Sequence, residues 1–282
     1  KTEGHRLAEV ERTWIDAFNA AILITKAEVE ALDSRAPREK IHVVGNGVEL
    51  PDLADPSRDY LSSEGSPAEG SSTDLGPQPD GNPIVGFVGA LDYYPNIDGV
   101  VWFVRRCWPD VRAAHPQAVF RIIGRAPTRP VRRLARVPGV EVVGPVENAA
   151  AEVRKLHVSV APLRIARGLQ NKVLEAMAGH KPVVLTPEAA EGIAARDGEH
   201  YLVARTANEL ARAIIELLDD PAKRHRLGQA ARRFVAANHC WEGELRKLEL
   251  IVHGVLKVKT RQLLPRMSAA PARNRRIVRA GL

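Results

Sequence analysis

The hydrophobic pattern changes period around residue 162. His157 to Ala161 sets apolar side chains at a period of two and then meets Pro162, which cannot continue a ladder, so the stretch predicts a short strand. Residues 163–168 predict a loop. From Leu169 the spacing becomes helical, with Val173, Leu174 and Met177 on one side and Gly168, Asn171, Lys172 and Glu175 on the other. The helix is expected to end near Gly179, and Lys181 to Thr186 reads as the next buried strand. A strand, loop, helix, strand unit belongs to a parallel α/β sheet, and such sheets bind ligands at the carboxyl ends of their strands.

The same reading extends along the chain. Leu7, Val10, Trp14, Ile15 and Phe18 stand at helical spacing and predict an amphipathic helix over 5–19. A short apolar strand is expected at 20–25, a helix around 27–34 and a strand at 41–45, with Asn46 and Gly47 marking a sharp turn. Residues 51–82 are rich in Pro, Gly, Ser and Asp and nearly free of bulky apolar side chains, which predicts a linker or insertion. Strands follow at 84–89, 119–124, 140–144 and 201–204. Asn96 is expected to cap a helix bearing Val100, Val101, Phe103 and Val104, and another helix is expected at 149–156. Residues 188–192 read as a turn. Thr206 and Glu209 form a capping box for a helix to Leu218, Asp220 and Pro221 open another to about 237, and residues 241–256 read as amphipathic.

Charge changes this picture in two places. The formal net charge is +7, but residues 257–282 carry eight Lys or Arg and no acid, while 52–82 carry seven acids and one arginine. The rest holds a modest excess, so no uniformly basic nucleic-acid face is indicated. The basic tail has two readings, a disordered solvated segment or a contact with anionic lipid head groups. Cys107 and Cys240 lack ligand spacing, which argues against a metal site or disulfide framework and fits a reducing cytoplasm. No apolar run approaches the length of a membrane span. His157, His180 and His239 have no partner at ligand or triad spacing and read as structural or solvated.

The chemistry concentrates in 164–175. Arg164, Arg167 and Lys172 crowd the start of a helix, where the macrodipole disfavours cations by roughly 0.3–1 kcal/mol each. An anion resolves that conflict, and Gly168 with the free N–H groups of a helix start suits a phosphate or diphosphate. The alternative is that the arginines are solvated loop residues. Glu175 has two readings as well: an i,i+3 ion pair with Lys172, or a carboxylate that accepts hydrogen bonds from a ribose diol two helical turns into the helix.

The run R-G-L-Q-N-K-V-L-E-A-M-A-x-x-K-P-V-V from Arg167 resembles the donor-site signature of the family 4 (group 1) GT-B glycosyltransferases. The longer form V-A-P-L-R-I-A-R-G-L-Q-N-K is similar to sugar transferases associated with PEP-CTERM exopolysaccharide systems, and the resemblance covers about residues 7–250. It implies an α/β chain of GT-B type: a doubly wound parallel Rossmann-like sheet as donor domain at 83–256, preceded at 1–50 by the end of a second Rossmann-like half whose remainder is absent. The last helix is expected to return to that half. The resemblance implies transfer of a sugar from a nucleotide-diphosphate sugar to a hydroxyl of a glycan or lipid-linked acceptor, with retention, without metal or cofactor, in a cytoplasmic or membrane-peripheral setting. Arg167 and Lys172 are its candidates for stabilising the leaving diphosphate. Gly89, Asp92, Asn96, Gly124, Arg125, Arg164, Gly168, Gln170, Asn171 and Glu175 are its candidates for holding donor, and Val146 stands where relatives place the base. The sequence departs from the wider pattern at Arg167, where a second glutamate is usual, and at Gly179-His180, where the glycine before Lys-Pro is displaced. A catalytically silent binding fragment and a nucleotide-sugar epimerase of the same architecture are the alternatives.

Overall fold

The computed structural model describes residues 2–32, 34–51 and 81–267, with side chains described to residue 257. The expectation of a linker at 51–82 therefore falls almost wholly outside the described residues, as do residues 268–282 of the basic tail.

The chain divides into two compact units, one of residues 1–22, 32–42 and 245–282, the other of residues 23–31 and 43–244. In the first, α1 spans Thr2–Ala17. Of its predicted apolar positions only Ile15 is buried, while Leu7, Val10 and Trp14 are exposed, as is Phe18 just beyond it. Lys40 Nζ donates to the carbonyl of Asp16 at 2.7 Å. Strands β1 (Ala21–Leu23) and β2 (Ile41–Val43) form a two-stranded sheet. Helix α2 (Lys26–Ala31), which belongs to the second unit, begins with a capping box: the amide of Glu28 donates to Thr25 Oγ1 at 3.1 Å, and Glu28 Oε2 accepts from the amides of Ile24 and Thr25.

The second unit is built on six strands, β3 (Ile84–Val88), β4 (Val119–Ile123), β5 (Val140–Gly144), β6 (Val158–Ala161), β7 (Val183–Leu185) and β8 (Leu202–Val203). All pairings are parallel and the spatial order is β5-β4-β3-β6-β7-β8. Renumbered from β3, this is 3-2-1-4-5-6, the doubly wound order whose reversal between β3 and β6 makes a crevice at the strand carboxyl ends. The β3–β6 ladder stops at Gly86 and Ser159, before either strand ends, so the two part towards that crevice. β6 and β7 are buried at every position, which explains why they read as apolar runs rather than alternating ones.

Helices α3 (Tyr94–Arg106), α4 (Trp108–Ala114), α5 (Arg129–Arg133), α6 (Ala149–Arg154), α7 (Asn171–Ala178), α8 (Pro187–Ala190), α9 (Ala207–Asp219), α10 (Pro221–Asn238) and α11 (Trp241–Met267) complete the described α-helices. Phe103 of α3 lies 4.5 Å from Phe120 of β4, centroid to centroid, and Trp108 of α4 lies 5.7 Å from Phe120. This aromatic cluster joins the helices to the sheet. The caps read from sequence are present at Thr206, which accepts from the amide of Glu209, and at Asp220, which accepts from that of Lys223. Helix α11 continues past residue 256 to Met267, into the segment read as tail.

Three local expectations are corrected. Asn46-Gly47 is an irregular connection with no turn; Val48 bridges to Cys240, and a β-carbon at Gly47 would stand 2.5 Å from the Trp241 ring, so the glycine serves close packing. Asn96 is no cap: Pro95 takes a first-turn position of α3 and Tyr93 is the N-cap, which places Asn96 inside the helix with its side chain buried. Helix α7 starts at Asn171, two residues later than expected. Gly168 is left-handed, at φ +68, and Gln170 is extended, so Glu175 lies about one turn into the helix.

Candidate functional site

Four loops meet at the carboxyl ends of the strands. The loop after β3 carries Gly89, Asp92 and, through α3, Asn96; that after β4 carries Gly124 and Arg125; that after β5 carries Val146; that after β6 carries Arg164 to Asn171. Gly89 N donates to Ile123 O at 3.0 Å, Leu91 N to Arg125 O at 2.9 Å and Gly124 N to Gly144 O at 2.8 Å, which extends the ladders beyond the strands. A β-carbon at Gly124, which has φ +154, would fall 1.8 Å from Gly89 O, so the first two loops touch backbone to backbone. A β-carbon at Gly99 would stand 2.7 Å from Pro162 O, which brings α3 equally close to the loop after β6.

That loop is held from beneath. Thr186, buried at the end of β7, donates through Oγ1 to Leu163 O at 2.5 Å. A β-carbon at Gly192 would stand 2.4 Å from Gly168 O, so the turn after α8 backs directly onto the left-handed corner. On another side, a β-carbon at Gly168 would stand 3.3 Å from Glu28 Oε1, and Asn46 Nδ2 donates to Asn171 Oδ1 at 3.0 Å. Thr186, Gly192, Glu28 and Asn46 carried no functional signal in the sequence. Their contacts with the loop depend on strand order, and no local period announces them.

The three cations differ. Arg164 is engaged: Nε donates to Asp98 Oδ2 at 3.0 Å, a second nitrogen to Oδ1 at 2.5 Å, and the guanidinium lies 5.8 Å from the centroid of the Trp102 ring. The hydrogen bond to Asp98 raises its pKa further. Arg167 is exposed on the loop. Lys172, in the first turn of α7, donates to Asn96 Oδ1 at 2.5 Å and lies 5.2 Å from the ring centroid of Phe87, the β3 residue just past the last β3–β6 pair. Burial lowers its pKa to about 8, against the field of Glu175, which favours the charged form. Glu175 is exposed, yet the surrounding protein raises its pKa, with Lys172 opposing that shift. The ammonium thus bonds to Asn96, and Glu175 acts on it through its field.

Gln170 turns back on its own loop, donating to Arg167 O at 3.3 Å and Gly168 O at 3.5 Å, and does not cap α7. The first amides of α7 therefore have no side-chain cap. Asp92 and Arg125 are exposed; Val146 is half-buried at the end of β5, two strands or about 10 Å across from β3. Chemically, the crevice offers a partly desolvated ammonium, an exposed guanidinium, uncapped helix amides and a carboxylate about one turn further on. Such a set suits an anion with a hydroxylated neighbour. Among the described residues no group of three or more His, Cys, Asp or Glu is placed to hold a metal ion, and no helix is long and apolar enough to cross a membrane.

Residues 82–220, which contain the whole six-stranded sheet, match the family model for group 1 glycosyl transferases. The match covers 139 of the chain's 282 residues. Many solved structures share the fold, among them the following three. A TarM mutant from S. aureus, in complex with Fondaparinux, alpha-GlcNAc-glycerol and UDP, has 16% identity and TM-score 0.62, over 89% of this chain and 46% of that one. The sucrose-phosphate synthase of Thermosynechococcus elongatus has 21% identity and TM-score 0.66, over 89% and 62%. HepE of Anabaena, in complex with UDP-glucose, has 15% identity and TM-score 0.63, over 89% and 67%. The chain thus spans about half to two thirds of the length of these proteins. Comparison with curated proteins finds no match.

Proposed function

We propose that the six-stranded unit is the donor-binding domain of a glycosyltransferase, and that the crevice between β3 and β6 holds a nucleoside-diphosphate sugar whose sugar passes to an acceptor hydroxyl. The observation that carries this reading is the convergence of Lys172, Arg167 and the uncapped start of α7 at the topological switch point. The structural relatives TarM and HepE were determined with UDP or UDP-glucose, which favours a uridine nucleotide as the first ligand to test. Lys172 and Arg167 would stabilise charge on the departing diphosphate, Glu175 would accept from the ribose diol, and the half-buried Val146 would lie against the base. Gly89, Gly124 and Gly168 would let backbone approach the phosphates, with Asp92, Arg125, Gln170 and Asn171 at the rim. Arg164 would join them on exchanging Asp98 for phosphate.

The finer reading follows the sequence resemblance. It is a retaining hexosyl transfer in exopolysaccharide or glycolipid assembly, cytoplasmic and peripheral to an anionic membrane through the basic tail, with the donor as substrate and no resident cofactor. The share of each relative that the chain spans supports a second reading, in which this unit binds donor but needs further chain to transfer it.

The test is a thermal-shift panel of UDP, GDP and ADP sugars on the 282-residue chain and on Glu175→Gln. Stabilisation follows RT ln(1 + [L]/Kd), so affinity is read without an acceptor. One nucleotide class should raise Tm, and Glu175→Gln should weaken its binding by about 1–3 kcal/mol. No shift with any class would overturn the donor-site reading. Release of nucleoside diphosphate with a new glycosidic bond separates transfer from binding alone.

A further inference from the structure

Asn96 is 2% exposed and sits in the first turn of α3, where the sequence suggested a helix cap. A buried amide must place all its polar atoms, and this one does so by joining two loops. Nδ2 donates to Ala90 O at 2.8 Å, in the turn after β3, and Oδ1 accepts from Lys172 Nζ at 2.5 Å, in the first turn of α7. The orientation of the amide follows from chemistry: a carbonyl only accepts and an ammonium only donates, so nitrogen faces Ala90 and oxygen faces Lys172. Gly89 makes room for it, since a β-carbon there would stand 3.0 Å from Nδ2.

We propose that Asn96 is the positioning residue of the donor site: it ties the glycine turn after β3 to the start of α7 across the switch point, and so fixes where the Lys172 ammonium stands relative to a diphosphate. The inference rests on the donor-site reading above. The turn from Gly89 to Tyr93 contains no Lys or Arg, so a phosphate held against it takes its cations from other elements, and of the candidates Lys172 of α7 is the one Asn96 holds. Without a partner from α3, a partly buried ammonium over Phe87 would bear its desolvation alone and turn to Glu175 or to solvent. Asn96 thus acts through Lys172 and touches no reacting atom.

Two variants separate the halves of this role. Asn96→Leu keeps the volume and removes both bonds. Asn96→Asp keeps an acceptor for Lys172 and loses the donor to Ala90. The pH dependence of Lys172 acetylation by trace acetic anhydride, read by peptide mass spectrometry, reports its ionisation without any ligand. The charged groups in play are Lys172 itself and Glu175, with Asn96 and Phe87 facing from α3 and β3. Asn96→Leu should lower the Lys172 midpoint from about 8, and Asn96→Asp should raise it. In parallel, UDP and uridine affinities are measured for the wild type, Asn96→Leu, Lys172→Met and the double variant. Asn96→Leu should weaken UDP about tenfold and uridine little, and the double variant should be no worse than Lys172→Met alone. An unchanged Lys172 midpoint in both variants, or additive losses in the double variant, would overturn the positioning role. Failure of the wild type to bind UDP at any pH, with the midpoints moving as expected, would count against the donor-site reading and leave the Asn96–Lys172 tie standing.

Discussion

Lys172 and Lys181 lie at opposite ends of the same crossover, one in the first turn of α7 and the other at the entry to β7, and burial lowers both to about 8. Their surroundings differ. Lys172 has the amide of Asn96 within hydrogen-bond distance and the field of Glu175 to favour its charge. Lys181 is faced by the guanidiniums of Arg224 from α10 and Arg154 from α6, and both push its pKa in the same direction as burial does. A lowered lysine pKa therefore reports burial first. The accompanying groups decide whether the site is ready to hold an anion beside a hydroxylated ligand or is a crowded cationic seam between helices.

The largest loss of stability is expected at the carboxyl end of the sheet. Gly124→Ala should cost more than about 3 kcal/mol, combining backbone strain with an overlap that neither loop can relieve. Gly144→Ala, at φ +81 with nothing within 4 Å of the added carbon, should cost only about 1–2 kcal/mol of strain. Urea denaturation measures both, and equal losses would mean that the Gly89–Gly124 contact is not tight.

Next in size is the ligand response of the two lysines. Lys172→Met should weaken UDP by tenfold or more, about 1.4 kcal/mol, while Lys181→Met should leave UDP affinity within about twofold. Calorimetric titration distinguishes them, and equal losses from both would erase the difference between the two ends.

The amino end should dominate acid stability. His180 occupies a left-handed backbone position at φ +62, its Nε2 is buried without a hydrogen bond, and burial followed by His225 and nearby cations lowers its pKa to about 4. The unfolded chain takes up this proton first, near 6.5, so stability falls as pH drops from about 6.5 to 4. The loss should be up to about 2 kcal/mol and should vanish in His180→Asn, which tolerates the left-handed conformation and does not titrate.

The smallest effect is at high pH. Both lysines bind protons more weakly folded than unfolded, so stability should rise as pH climbs from about 8 to 10.5. Lys181→Met should remove its share of that rise, about 1 kcal/mol, and stabilise the protein at neutral pH by a similar amount. A flat profile in the wild type would contradict the burial of both side chains.

The displaced glycine at 179–180 was visible as a departure from pattern. The structure resolves it as a helix end of the Schellman type: His180 N donates to Met177 O at 3.1 Å and Lys181 N to Ala176 O at 3.0 Å, with histidine in the place glycine usually takes. Arg164, Arg167 and Lys172 were equivalent in the sequence as cations near one helix start. Folding separates them into an ion pair with Asp98, an exposed side chain and a partly buried ammonium. Nothing in a local pattern relates position 98 to 164. The apolar spacing of α1 foretold a helix but not burial, because periodicity specifies a face and not the surface that covers it.

The local elements follow from the residues alone: six short strands recognisable by period and by Pro or Gly at their ends, the helices between them, and the caps at Thr206 and Asp220. Those choices depend on φ/ψ preference and side-chain period, which act over a few residues. Strand order, and with it which loops face each other, is fixed only by long-range packing. Asn96 meets Lys172 across 76 residues, and Gly124 must be glycine because Gly89 O lies where its β-carbon would be. Such contacts arise only when the reversal of winding between β3 and β6 sets two distant helix starts side by side, and no short-range term in the chain encodes that meeting.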